Sequence, residues 1–192
     1  VLPLLLFALI VLASSWISDD AYITLRTIEN LLDGYGLRWN VDERVQAFTH
    51  PLWALLVAIV GAVSRHWLVT LSVLSTAVST AAVALVLVQR ETSWRRSLWL
   101  VGCCVLSKSF VSYSTAGLEN PLTHLLLALF WRLAREPRRR LWALSLTTGL
   151  ALCTRMDLLL IFGPLLAASA WQQRFFPQRL RRALLGLLPF VA

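Results

Sequence analysis

Charge is scarce in this sequence. Asp, Glu, Lys and Arg make up only 15% of 192 residues, against about a quarter in a soluble domain. Hydrophobic residues fill 58% and mean hydropathy is +0.69. That balance excludes an ordinary soluble domain and places the chain among integral membrane proteins. Cysteine is scarce too. Cys103, Cys104 and Cys153 all lie inside apolar runs, and adjacent cysteines seldom bridge each other. No disulfide, metal site or redox role is assigned to them. The formal net charge of +8 would suggest nucleic acid in a soluble protein. Here most arginines fall in three short clusters between apolar runs, the pattern of cytoplasmic loops. No nucleic-acid partner is expected; the partner that composition names is the lipid bilayer.

What is present is a series of apolar runs, at about 1–17, 67–88, 97–111, 121–134, 141–154 and 156–171, with another over 183–192 that is incomplete. The first is slightly short of the roughly 20 residues that cross a bilayer. It reads as a retained transmembrane helix, because no small-x-small cleavage site precedes Asp19. Both ends of the chain fall inside apolar runs, so 1–192 is expected to be the N-terminal part of one membrane domain in a longer protein. The stretch Pro51 to Val63 holds thirteen residues, which suits an interfacial or re-entrant helix better than a span. Topology supports that choice. If 51–63 does not cross, the clusters Arg90/Arg95/Arg96, Arg132/Arg135/Arg138/Arg139/Arg140 and Arg174/Arg179/Arg181/Arg182 all fall on the cytoplasmic side. If it crosses, all three fall outside. The fold class is therefore all-α integral membrane, with an outer loop over 18–66.

That loop opens on Asp19 and Asp20. From Asp20 to Asp33 the apolar positions Ala21, Tyr22, Leu25, Ile28, Leu31 and Leu32 recur at helical spacing, with Thr24, Thr27, Glu29 and Asn30 on the other side. An amphipathic interfacial helix with an acidic start is expected, stopped by Gly34-Tyr35-Gly36. Eight of the ten acidic residues fall outside: Asp19, Asp20, Glu29, Asp33, Asp42, Glu43, Glu119 and Asp157. Carboxylates are tolerated there, which accounts for Asp33, Asp42 and Glu43. Asp19 and Asp20 differ by depth, since a charge at the hydrocarbon boundary is costly without a partner or a task. Tyr22 and Arg26 follow them on successive turns. An Asp-Asp pair alone is often a helix cap. Glu119 reads equally as a carboxylate at a helix start, Arg155 and Asp157 equally as a mutual structural pair, and Lys108 either snorkels or meets a lipid phosphate.

Three stretches carry a resemblance: Asp19-Asp20-Ala21-Tyr22-Ile23-x-x-Arg26, then Asn30-Leu31-x-x-Gly34-x-Gly36-Leu37-x-x-Asn40, then Glu43-Arg44-Val45-x-x-Phe48-Thr49-His50-Pro51-Leu52-Trp53. Over these 35 or so residues the chain resembles the GT-C glycosyltransferases, multi-helix membrane enzymes that use polyprenyl-phosphate sugars. The Gly-Tyr-Gly-Leu-Arg-Trp-Asn and Phe-Thr-His-Pro-Leu-Trp wording is most similar to the mycobacterial terminal arabinofuranosyltransferase group. Gly117-Leu118-Glu119-Asn120-Pro121 and Thr154-Arg155-Met156-Asp157 are weaker echoes. The family frequently has Pro between the Arg and the acid of that last motif, and Met156 departs from it.

The resemblance implies a GT-C-like transmembrane bundle in the cell membrane, multi-pass, with its active site on the non-cytoplasmic side. It implies transfer of a sugar from a polyprenyl-phosphate donor to a cell-envelope glycan or lipid acceptor, with inversion, and arabinofuranose is the sugar of the most similar group. Asp19 maps onto the catalytic carboxylate with Asp20 beside it, and Glu119 onto the acid of the next outer loop. The chemistry needs a base for the acceptor hydroxyl and cations for the leaving phosphate. Tyr22, Arg26, Arg44, His50, Lys108, Glu119, Arg155 and Asp157 are the substrate-binding candidates. The family has metal-dependent and metal-independent members, and the sequence does not choose whether a divalent metal takes part. Two rivals remain on the residues alone: a membrane transporter or lipid flippase with Glu119, Arg155 and Asp157 along its path, and a non-catalytic subunit whose outer loop binds an envelope glycan.

Overall fold

In the computed structural model, helix α4, Trp67–Leu87, is the spine. At 21 residues it is about 31 Å long, and among the described residues it alone is long and apolar enough to cross a membrane. The structure describes residues 2–43, 45, 47–87, 93–135, 141–172 and 177–191. Around α4 stand α1 (Leu2–Ala13), α2 (Asp19–Leu32), α3 (Pro51–Ser64), α5 (Trp94–Leu106), α6 (Lys108–Tyr113) and α7 (Asn120–Ala134). Then come α8 (Leu141–Thr154), a 3-10 turn (Met156–Leu158), α9 (Leu159–Trp171), α10 (Pro177–Gly186) and α11 (Leu188–Val191). Every regular element among the described residues is helical.

Local sequence sets the breaks. α1 stops at Ala13, short of the run expected to Ile17. Its last backbone carbonyls are taken by Ser14 and Ser15, where polar side chains compete with helix. The run at 97–111 is two helices, not one. Ser107 turns extended and ends α5, and its hydroxyl then accepts from the Phe110 N–H to start α6. The run at 156–171 likewise begins as a 3-10 turn before α9. α3 has Pro51 at its first position, where the lost N–H costs nothing. It ends on Arg65 in the left-handed conformation (φ 52°).

α2 departs from its expected amphipathic face. Ala21, Leu25 and Ile28 are buried as the spacing demands, but Thr24 and Thr27 are buried with them. Tyr22 and Leu31 lie exposed instead. Each buried threonine has a partner: Thr27 donates to the Ile23 carbonyl (3.1 Å), and Thr24 meets His50. A satisfied hydroxyl is cheap to bury, so polarity did not decide the face.

The main core joins α2, α3, α4, α7, α8 and α9 through Leu25, Ile28, Trp53, Val57, Leu71, Leu126, Leu144 and Phe162. Phe130 of α7 meets Phe162 edge-on at 5.4 Å. A second cluster, Phe7, Val11, Val83, Val101 and Val111, joins α1 to α4, α5 and α6. Outside these cores, Leu5, Leu6 and Leu9 of α1, Leu68, Val69 and Val73 of α4, and Leu160 and Ile161 of α9 face outward. So apolar an exterior fits a bilayer better than water.

Candidate functional site

Three segments, the α1–α2 link, α3 and α4, grip the end of α6 and its connection to α7 by their carbonyls. Trp16 Nε1 donates to Ser112 O and the Ser18 N–H to Ala116 O, both at 2.9 Å. Ser79 Oγ of α4 reaches Ser114 O at 3.4 Å, and Trp53 Nε1 of α3 donates to Gly117 O at 2.9 Å. Gly117 takes φ +82°, with the Cβ of Ala21 so near that any side chain here would meet it at 2.7 Å. This turn delivers Glu119 to the start of α7, almost fully buried.

Glu119 is the centre of a charged cluster assembled from four distant segments. Its Oε1 accepts from Arg155 Nη1 at 3.0 Å, and its Oε2 lies 3.4 Å from His50 Nδ1. The other ring nitrogen of His50 is 3.0 Å from Thr24 Oγ1 of α2. Arg155, at the turn after α8, also clamps Asp157, with Nε to Oδ1 at 2.9 Å and Nη2 to Oδ2 at 2.7 Å. Arg155 is therefore both a structural partner of Asp157 and a ligand of the buried acid.

Electrostatics follow from depth. Burial pushes His50 below the ordinary imidazole range; Glu119 pulls it upward and Arg155 pushes it further down. The hydrogen bonds that Arg155 donates to Asp157 and Glu119 raise its pKa above its already high value, so it is a permanent cation. The Arg155 hydrogen bond holds exposed Asp157 below the usual carboxylate range. Near neutral pH the His50 imidazole is thus neutral, beside the Arg155 guanidinium and the Asp157 carboxylate.

A groove of about 870 Å³ opens beside it. Pro51, Leu52 and Leu55 of α3 form one wall, Leu150 and Cys153 of α8 and Phe190 of α11 another, with Arg155 and Asp157 at the polar side. Apolar walls ending at a guanidinium suit an amphiphile with an anionic head.

Asp19 and Asp20 form the first turn of α2. Asp19 Oδ1 accepts from Ser18 Oγ at 3.3 Å and from the Asp20 N–H at 3.2 Å, and both carboxylates are exposed. Asp20 stands one turn before Thr24 on the same side of the helix, the side that reaches His50; Asp19 heads the neighbouring side, with Tyr22 and Arg26. Arg26 turns away from the cluster: its Nε donates to Trp39 O at 3.0 Å and its guanidinium lies 4.9 Å over the Trp39 ring. Lys108 lines a separate recess with Ile10, Ser14 and Ser112. Arg44 lies outside the described residues. So of the sequence candidates, the structure brings His50, Glu119, Arg155 and Asp157 into one cluster, and leaves Tyr22, Arg26 and Lys108 elsewhere.

Among the described residues no group of three His, Cys, Asp or Glu side chains gathers to hold a metal. Two residues escaped sequence reasoning. Thr24 reads as solvent-facing by periodicity, and Trp53 reads as one more apolar residue of α3. For Trp53 the signals were its place at the end of the Phe-Thr-His-Pro-Leu-Trp wording and its position at the start of a short helix, where its N–H needs a partner once buried.

Comparison with known proteins leads to the glycosyltransferases. The terminal beta-(1->2)-arabinofuranosyltransferase of Mycobacterium tuberculosis is 29% identical over 185 residues, covering 83% of this chain and 30% of that protein. Its counterpart of the same description in Corynebacterium glutamicum is 32% identical over 136 residues, covering 68% of this chain and 19% of that protein. The resemblance to the arabinofuranosyltransferase group read from the outer-loop motifs is thereby borne out. The chain spans less than a third of the length of these relatives. No family model matches it, and no solved structure matches it.

Proposed function

We propose that this chain carries the catalytic outer loops of an inverting GT-C-type membrane glycosyltransferase. It moves a sugar, arabinofuranose by analogy with its relatives, from a polyprenyl-phosphate donor to an envelope glycan or lipid acceptor at the non-cytoplasmic face of a multi-pass bundle. One observation carries the reading: segments around positions 24, 50, 119 and 155 meet in a single charged cluster, beside an apolar groove and at the helix that begins with Asp19.

The chemistry follows from that placement. The donor keeps its chain along the apolar walls and its phosphate against Arg155, whose fork matches phosphate oxygens. Asp19 takes the acceptor hydroxyl proton as the new C–O bond forms at the anomeric carbon. The bond from that carbon to the phosphate oxygen breaks, and its electron pair leaves with the lipid phosphate. Arg155 meets the charge that develops there, while His50, held by Thr24 and Glu119 through both ring nitrogens, steadies the acid that directs Arg155. Asp20 assists Asp19 or holds the acceptor. Attack opposite to departure inverts the anomeric centre.

Transfer from a synthetic lipid-phosphate arabinofuranose by the full-length protein in detergent tests this reading. Asp19→Asn is expected to lower turnover by about 10²–10⁴-fold, the usual contribution of a general base. Near-normal turnover would remove Asp19 from the mechanism.

A further inference from the structure

On the side of α2 away from His50 lies a second depression, of about 400 Å³, between α2 and the start of α4. Tyr22, Arg26, Glu29, Asn30 and Trp67 line it. We infer that this cleft is a glycan subsite that holds the acceptor chain and presents its end to Asp19. The role as acceptor site rests on the glycosyl-transfer reading; the chemistry of the cleft stands without it.

Two independent features point to a polyhydroxylated, uncharged ligand. First, the cleft offers two aromatic surfaces, a half-exposed Tyr22 and the indole of Trp67. The C–H face of a sugar ring is apolar and lies well on such a surface, while its hydroxyl rim needs hydrogen bonds. Second, the polar groups are held ready and unspent. The Glu29 carboxylate has no partner among the described residues, which leaves its oxygens free to accept from hydroxyls. Arg26 is fixed through Nε and through its stacking on Trp39, so it enters binding already ordered. Asn30 spends its amide N–H groups on the carbonyls of Arg38 and Trp39 (2.8 and 3.0 Å), leaving its own oxygen as an acceptor.

The walls separate this cleft from the donor groove. Arg26 and Glu29 face the same small volume with opposite signs, so it has no net attraction for phosphate. The donor groove pairs Arg155 with Asp157 as well, but sets that fork at the end of long apolar walls that suit a lipid chain, which this cleft lacks. Asp19, Tyr22, Arg26 and Glu29 fall at intervals of three, four and three, which puts them along one face of α2. From Asp19 to Glu29 that face is about 15 Å long. A chain lying along it ends at the carboxylate that must take a proton from the acceptor hydroxyl. The helix thus divides the work: one face leads through Thr24 to the phosphate cluster, the other leads the acceptor to Asp19.

The test uses full-length protein in detergent and a synthetic arabinofuranose oligosaccharide without lipid, titrated by calorimetry, together with transfer kinetics. Tyr22→Ala and Glu29→Ala place a good helix former at exposed or half-exposed positions of α2, so the fold is retained. Each is expected to weaken oligosaccharide binding and raise acceptor KM about tenfold or more, with donor KM unchanged. Inorganic phosphate should not compete. Loss of oligosaccharide binding in both variants supports the subsite even where the protein transfers no sugar, a result that would instead refute glycosyl transfer. Unchanged binding in both, or competition by phosphate, overturns the subsite even where transfer proceeds.

Discussion

Arg155 and Glu119 meet across 36 positions of sequence, with Nη1 of the guanidinium 3.0 Å from Oε1 of an acid that is 4% exposed. The contact ties the turn after α8 to the start of α7. It also sets which charges are fixed and which can respond. Arg155 remains half exposed, so it can grip Glu119 with one arm and still meet a ligand from the groove.

Glu119→Gln removes the buried charge but keeps the side chain's shape. Arg155 retains Asp157, yet loses the anchor that fixes its direction, and His50 loses its acid. The expected cost in stability is about 1–2 kcal/mol, reduced by the exposure of Arg155. Transfer should fall about 10²-fold, as it does when a positioning contact slips. Asp157→Asn should cost less on both counts, because that pair is exposed. Thermal unfolding and donor kinetics on the two variants check the order; a larger loss from Asp157→Asn would reverse the assignment of the anchor.

Arg155→Lys keeps the charge and loses the fork. Three guanidinium nitrogens serve two different carboxylates here, a span that one ammonium cannot reproduce. Donor KM should rise several-fold to about tenfold, by the loss of one charge-assisted hydrogen bond, with acceptor KM unchanged. Steady-state kinetics with each substrate varied in turn would show it, and an unaltered donor KM would count against Arg155 as the phosphate ligand.

Gly117→Ala should disrupt the turn that delivers Glu119. The residue sits at φ +82°, and the new Cβ would lie 2.7 Å from the Cβ of Ala21 and 3.2 Å from Leu71 Cδ1. Left-handed strain and the clash together cost about 2 kcal/mol or more. Gly102→Ala is the control, since nothing lies within 4 Å of a Cβ there and alanine favours the α5 helix. The first variant should unfold at lower temperature than wild type, and the second at the same temperature or above.

Much of this was legible in the sequence, and the limits are physical. Apolar runs and turn residues located most helices, because length and hydropathy are local properties. The Ser107 break was not legible: one serine in an apolar run rarely stops a helix, and here its hydroxyl finds the Phe110 N–H to cap the next one. Outer-face topology and the family resemblance singled out His50, Glu119, Arg155 and Asp157. That they touch is a tertiary fact that neither carries. Helical spacing put Tyr22 and Arg26 with Asp19, but it could not show that Trp39 returns to hold Arg26, nor that α2 turns its threonines inward.

His50 should make stability depend on pH. Burial holds its pKa below the ordinary 6.5, so the folded protein resists a proton that the unfolded chain accepts. Between the folded pKa and 6.5 the unfolded state binds more protons, and stability therefore falls as pH drops through that window. The slope cannot exceed about 1.4 kcal/mol per pH unit for one group. Below the folded pKa both states are protonated and this contribution levels off. Asp157 acts lower on the scale: its depressed pKa favours the fold above 3.8 and that contribution is lost beneath it. Unfolding midpoints measured between pH 5 and 8 should fall with acid in wild type and flatten in His50→Gln. Equal slopes in both proteins would assign the effect to another group.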